Sequence, residues 1–169
     1  MMAKERPNGP VAKVAMLFLF GIGFGNVEAM IVVYLRRILP PFDETTFGTV
    51  DEFVRFMEKY NVYRIEQIRE MFTILMLVTL SILAGNSLIE RFAAFCISFA
   101  TWDIFYYVFL WIINGWPSNL FDIDVLFLVP FPWVAPVILP VFISALMIGT
   151  GLHIYFVRLK EEEAKRYVL

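Results

Sequence analysis

Two residue types that usually carry chemistry are nearly absent from this 169-residue chain, which has one cysteine, Cys96, and one histidine, His153. A single cysteine excludes an intramolecular disulfide. With one cysteine and one histidine, a zinc finger, a cysteine-held iron–sulfur cluster and a bis-histidine haem cannot be assembled within one chain. Nucleophilic catalysis finds no support either, because Cys96 has no neighbouring histidine and Ser98 and Thr101 have no evident base. Charged residues make up only 18% and sum to −2 at neutral pH, which argues against nucleic acid as a partner. Internal repeats and low-complexity segments are lacking.

What the chain has is apolar residues, at 60% of the sequence with 17% aromatic and a mean hydropathy of +0.72. These gather in long runs, the pattern of membrane spans rather than of a large soluble core. The first run, Gly21–Leu39 (GIGFGNVEAMIVVYLRRIL), carries Glu28 inside it and Arg36-Arg37 at its end. It is too long and too charged for a cleaved signal peptide and lacks a small-x-small cleavage site, so it reads as a retained helix. A carboxylate in hydrocarbon costs about 3 kcal/mol on insertion scales, so Glu28 needs partners from elsewhere in the chain.

The pattern predicts an all-α fold within one integral membrane domain, residues 1–169. It is a bundle of four transmembrane helices with a short amphipathic interfacial helix and a proline-rich segment before the last span. Residues 1–10 read as a solvated tail. The first span covers about 11–39 and stops at Pro40-Pro41. Gly21, Gly25 and Glu28 share one of its faces, which suits close approach of another helix. Residues 51–60 place Phe53, Phe56, Met57 and Tyr60 at helical spacing, for a helix lying on the bilayer or acting as a lid. The second span, about 64–84, has an uncharged part too short to cross alone, so it includes the polar turns RIEQIRE. Glu66, Arg69, Glu70 and Thr73 then share a face, and Glu66 and Arg69 can pair. The third span, about 87–114, carries Asp103, with Tyr107 on the same face.

Prolines 130, 132, 136 and 140 forbid one long helix through the last apolar stretch. The fourth span is therefore placed at about 133–157, with Pro136 in its first turn and a kink at Pro140. The preceding residues 125–132 lie in the interface or dip into the membrane, which requires that their backbone be covered by protein. Residues 158–169 continue as a charged helix with Glu161/Lys165 and Glu162/Arg166 pairs. Trp102, Trp111, Trp116 and Trp133 read as interface anchors and packing residues.

Four spans put both termini on one side. The lysine and arginine bias favours the cytoplasmic side of a cell (inner) membrane. Glu28, Arg36, Arg37, Glu66, Arg69, Glu70, Asp103, Tyr107, Asp122 and Asp124 then all fall in the outer half, although they come from distant parts of the chain. His153 lies near the opposite face and stands apart. In one reading these groups are buried carboxylate–arginine pairs that fix helix register, as in an accessory subunit of a larger membrane complex, with other membrane subunits or further copies of itself as partners beside lipid. In another they form a membrane-embedded site. Glu28, Glu66, Glu70 and Asp103, all oxygen donors, suit a hard divalent cation such as magnesium, calcium or manganese. Alternatively, Arg36, Arg37, Arg69 and a helix N-terminus suit an anionic lipid or isoprenoid headgroup, with Glu28 as a candidate general base. A continuous proton path is unsupported, because the inner half lacks a matching set of ionisable groups.

The strings GFGNVEAMIVVYLRR, Arg69-Glu70 followed by Thr73, FATWDIFYYVFL, GWP and DVLFLVPFPWVAPVILP resemble a group of small prokaryotic integral membrane proteins. The resemblance covers about Gly21–Ile148 and is most specific in WD-x-FYY and D-x-LFL-x-P-x-PW. It implies where a site lies and carries no activity with it.

Overall fold

The computed structural model describes residues 10–40 and 49–167, with side chains for 11–40 and 49–157. Residues 1–9 of the tail expected at 1–10 and the side chains of the charge pairs expected beyond Arg158 lie outside the described residues, while Pro10 opens the first helix. Five helices follow in order: α1 (Pro10–Ile38), α2 (Val50–Lys59), α3 (Tyr63–Ala84), α4 (Leu88–Asn114) and α5 (Ile138–Tyr167), with strands β1 (Ile123–Phe127) and β2 (Trp133–Pro136) between α4 and α5. Four of the helices, all but α2, are long and apolar enough to cross a bilayer. The chain is a membrane protein of the four-span helical class, with one small hairpin added.

Helix α4 is the hub. Half of its most apolar window is buried, against 17% for α3 and for α5, and α1, α3 and α5 all pack on it. In a bilayer the lipid tails are as apolar as leucine, so the helices associate through close packing and polar links rather than through the hydrophobic effect. Small residues supply the closeness. A Cβ on Gly21 would sit 2.6 Å from the Cβ of Thr101, one on Gly25 2.8 Å from the Trp102 carbonyl oxygen, and one on Gly151 2.7 Å from Ile97. Leu17, Ala93, Ala94, Ile97 and Tyr155 form the core at the end nearest Val11, and Ala29, Val33 and Leu110 the core at the other end. Some hydroxyls within the spans turn back on their own helices, as Ser81 does to the Leu77 carbonyl (2.6 Å) and Thr101 to that of Ile97 (2.7 Å), so these need no outside partner.

The helix ends follow local chemistry. Thr49 caps α2 and Ser87 caps α4, each accepting from the backbone N–H three residues on (3.3 Å). The Glu90 carboxylate reaches back to the Asn86 N–H (2.9 Å), close to a capping box. Gly115 ends α4 with φ +71, a left-handed conformation that glycine adopts without a Cβ clash.

The last span departs from the expected boundary. It begins at Ile138, not near Trp133, because residues 133–136 pair antiparallel with 123–127 in the register Asp124↔Ala135 and Val125↔Val134. Pro136 therefore sits in β2. Pro140 falls in the first turn of α5, where no helical hydrogen bond is lost, so it need not kink the helix.

The hairpin runs back into the bundle. Its base is tied at the Asn114 end of α4, where the Val137 N–H bonds the Asp122 carbonyl (3.0 Å) and the Ile138 N–H that of Leu120 (2.7 Å). The Phe127 ring, at its far end, stacks on Phe99 (6.4 Å) and lies 6.4 Å from Trp102. Trp102 is about 18 Å along α4 from Asn114 at 1.5 Å per residue. We expect Gly25→Ala to lower the melting temperature in detergent, with overpacking costing about 1–3 kcal/mol. Gly23→Ala meets nothing within 4 Å and should leave it unchanged or raised; equal shifts for the two would contradict the packing described.

Candidate functional site

A cavity of about 100 Å³ lies in the half of the bundle remote from Val11 and Val157, which we term the distal half. Five carboxylates reach it: Glu28 from α1, Glu66 and Glu70 from α3, Asp103 from α4 and Asp124 from β1. The guanidiniums of Arg36 and Arg69 reach it too, with Thr73, Trp102, Tyr106 and Tyr107. Phe53 and Met57 of α2 close one side, packed with Leu39 and Leu128, so the amphipathic helix covers part of the cavity.

Arg69 ties the two helices that flank the cavity. Its Nε donates to Glu66 Oε2 (2.8 Å), the i,i+3 pair that the spacing allows, and its Nη1 donates to Glu28 Oε2 across the gap to α1. Thr73 Oγ1 donates to the other Glu28 oxygen (2.8 Å). Glu28 is 4% exposed and has both oxygens engaged. These two links account for its tolerance in the membrane.

Other acids at the cavity accept from uncharged donors. Ser144 Oγ donates to Asp103 Oδ2 (2.8 Å), the Tyr107 hydroxyl to Asp124 Oδ2 (2.8 Å), and the Leu128 N–H to Glu70 Oε2 (2.7 Å). Gln67 Nε2 donates to the Leu128 carbonyl (3.2 Å). Side chains of α3 thus satisfy the backbone at the hairpin tip, as a site in the membrane requires, because exposed peptide groups are not tolerated in hydrocarbon. Ser144 and Gln67 were not picked out by sequence. Ser144 is a lone polar residue within an apolar run, which is the signal that marks it, whereas Gln67 sits among the charged residues of RIEQIRE and has no such signal.

Two of the expected site residues lie apart. Arg37 is exposed and does not line the cavity, whereas Arg36 does and also places its guanidinium 4.3 Å from the centre of the Trp116 ring. Asp122 closes a surface turn, accepting from the Ser118 N–H (2.6 Å) and hydroxyl (2.8 Å) and from the Asn119 N–H (3.3 Å). The proposed cation ligands Glu28, Glu66, Glu70 and Asp103 all border the cavity, but among the described residues no three acidic, histidine or cysteine side chains are grouped to hold a metal ion. Glu28 and Glu66 both turn to Arg69, while Glu70 turns to the Leu128 N–H and Asp103 to the Ser144 hydroxyl.

Removing Glu28 leaves Arg69 with one buried partner, so Glu28→Ala should destabilise by about 3–5 kcal/mol. A double-mutant cycle with Arg69→Ala should give a coupling of at least about 1 kcal/mol, read from unfolding in detergent; additive effects would contradict the bridge. The Ser118 hydroxyl, followed by the Ser118 and Asn119 N–H groups, holds the Asp122 carboxyl below its usual range. A depressed carboxylate stabilises its turn above the ordinary value, near 4, and that contribution is lost as pH falls through the lower folded value. Amide exchange at Ser118 and Asn119, corrected for intrinsic rate, should therefore rise only in that acid range, and Asp122→Ala should show the fast rate at neutral pH. Comparison with known protein families, with curated proteins and with solved structures finds no match for this chain.

Proposed function

We propose that this chain is a membrane-embedded binding protein of the cell membrane, with both termini in the cytoplasm, whose outer-half cavity takes a positively charged group. The observation that carries this reading is the imbalance at the cavity: five carboxylates line it against two guanidiniums. Burying charge of one sign in a low-dielectric site is costly unless a counter-charge is supplied. Arg69 is already shared between Glu28 and Glu66, while Glu70 and Asp103 accept from the uncharged Leu128 N–H and Ser144 hydroxyl. A cationic ligand would complete the set.

A second reading, in which the protein is also a subunit of a larger assembly, is supported by β2. Among the described residues this strand pairs with β1 alone, and Trp133 and Val134 on it are exposed. An open strand edge at membrane depth favours cover by another protein surface.

The binding reading is tested by calorimetric titration of the protein in nanodiscs with magnesium, spermidine and ethanolamine. At least one should bind, and its affinity should fall about tenfold or more in the Glu66→Gln/Asp103→Asn variant, as expected for loss of charge-assisted contacts. Absence of binding by all three, or binding unchanged in the variant, would remove the reading.

A further inference from the structure

Resting on that reading, we infer that the cation taken into the cavity is a small alkylated ammonium, seated at Asp103 beside the rings of Tyr106 and Tyr107. Three observations point there. First, these three residues lie on α4 and all line the cavity. Tyr106 and Tyr107 follow Asp103 by three and four positions, and side chains so spaced on a helix are neighbours, with about 5–6 Å between Cβ atoms. A cation is attracted to a ring within about 6 Å of its centre. A cation paired with the Asp103 carboxylate is therefore in range of both rings, which lie 5.0 Å apart. Tyr107 also brings a second carboxylate to this wall, because its hydroxyl donates to Asp124 Oδ2 (2.8 Å).

Second, the carboxylates do not suit a bare metal ion. A divalent cation wants about six or more oxygens converging at one short distance. Among the described residues no such grouping exists, because Glu28 and Glu66 turn to Arg69, Glu70 to the Leu128 N–H and Asp103 to Ser144. An alkylated ammonium needs no ligand shell. Its charge is spread over its methyl groups, and the cost of taking an ion out of water falls as the ion grows. One carboxylate and neighbouring rings are enough to hold it. The chain already makes a contact of this kind beside the same wall: the Arg36 guanidinium lies 4.3 Å from the centre of the Trp116 ring, itself 6.3 Å from that of Tyr107.

Third, the remaining walls and the volume fit an apolar body of that size. Val32, Leu35, Phe53, Met57 and Phe127 also line the cavity. Methyl groups gain by burial against such walls, whereas the hydration shell of a small hard ion does not. The cavity is about 100 Å³, and an apolar cavity of about 150 Å³ holds benzene. On that scale this one takes roughly four or five non-hydrogen atoms, the size of tetramethylammonium.

The test is calorimetric titration of the full chain in nanodiscs with tetramethylammonium, ethanolamine, magnesium and tert-butanol, the last a neutral molecule close to tetramethylammonium in size and shape. Tetramethylammonium should bind about tenfold or more tighter than magnesium, and tert-butanol should not bind. Tyr106→Leu keeps apolar bulk and removes the ring; it should weaken tetramethylammonium about tenfold. Tyr106→Phe keeps the ring and should bind it within about twofold of the wild type. Should Tyr106→Leu fail to fold, the order of the four ligands on the wild-type protein decides. If magnesium or ethanolamine binds tighter than tetramethylammonium, or if the two Tyr106 variants bind tetramethylammonium alike, the alkylammonium assignment is overturned and the wider cation reading stands. If tert-butanol binds as well as tetramethylammonium, the cavity selects size and not charge, and both are overturned. If no cation binds, both fall.

Discussion

The guanidinium of Arg69 holds together what backbone packing leaves apart. Helices α1 and α3 each pack on α4 but hardly on each other, and across the space between them Arg69 takes Glu28 on one side and Glu66 on the other. This arrangement answers two costs at once. A carboxylate in hydrocarbon requires a counter-charge, and so does an arginine. Placing both where two helices diverge lets each satisfy the other, and it keeps the divergence open as a cavity. Thr73, one turn further along α3, completes the acceptor geometry of Glu28.

Around this bridge the distal half is built from polar links, and the opposite half from small residues. Gly21 and Gly151 let α1 and α5 approach α4 at Ala93, Ile97 and Thr101. There the fit is too close for a cavity. Further along, Gly25 keeps α1 close to α4 at Trp102 and Tyr106, and the cavity lies beside that contact, lined by Trp102, Tyr106, Tyr107 and hairpin residues.

Much of this was legible in the sequence for definite reasons. Hydrophobic run length gives the four spans, and the Gly21/Gly25 spacing marks the face that meets α4. The i,i+3 spacing of Glu66 and Arg69 fixes their pair because both lie on one helix. Long-range partners were not legible. Ser144 for Asp103, Tyr107 for Asp124 and Leu128 for Glu70 depend on how separate segments are brought together, which no local period encodes. The hairpin was missed for another reason. Residues 125–137 are apolar and proline-rich, and such a run reads equally as the ragged start of a helix. Its strand identity rests on pairing between 123–127 and 133–136. Only its need for protein cover at membrane depth was foreseeable.

The way that need is met bears on how the molecule is made. Leu128 at the hairpin tip depends on Glu70 and Gln67 for its peptide hydrogen bonds, and both belong to a helix that precedes the hairpin in the chain. During synthesis α3 is therefore available before the hairpin emerges, whereas the reverse order would leave bare peptide groups facing acyl chains. The hairpin does not have to be handed to the bilayer as an independent segment. It can be drawn down along a polar track that earlier-inserted helices have already laid, and the order of elements along the polypeptide doubles as an order of assembly.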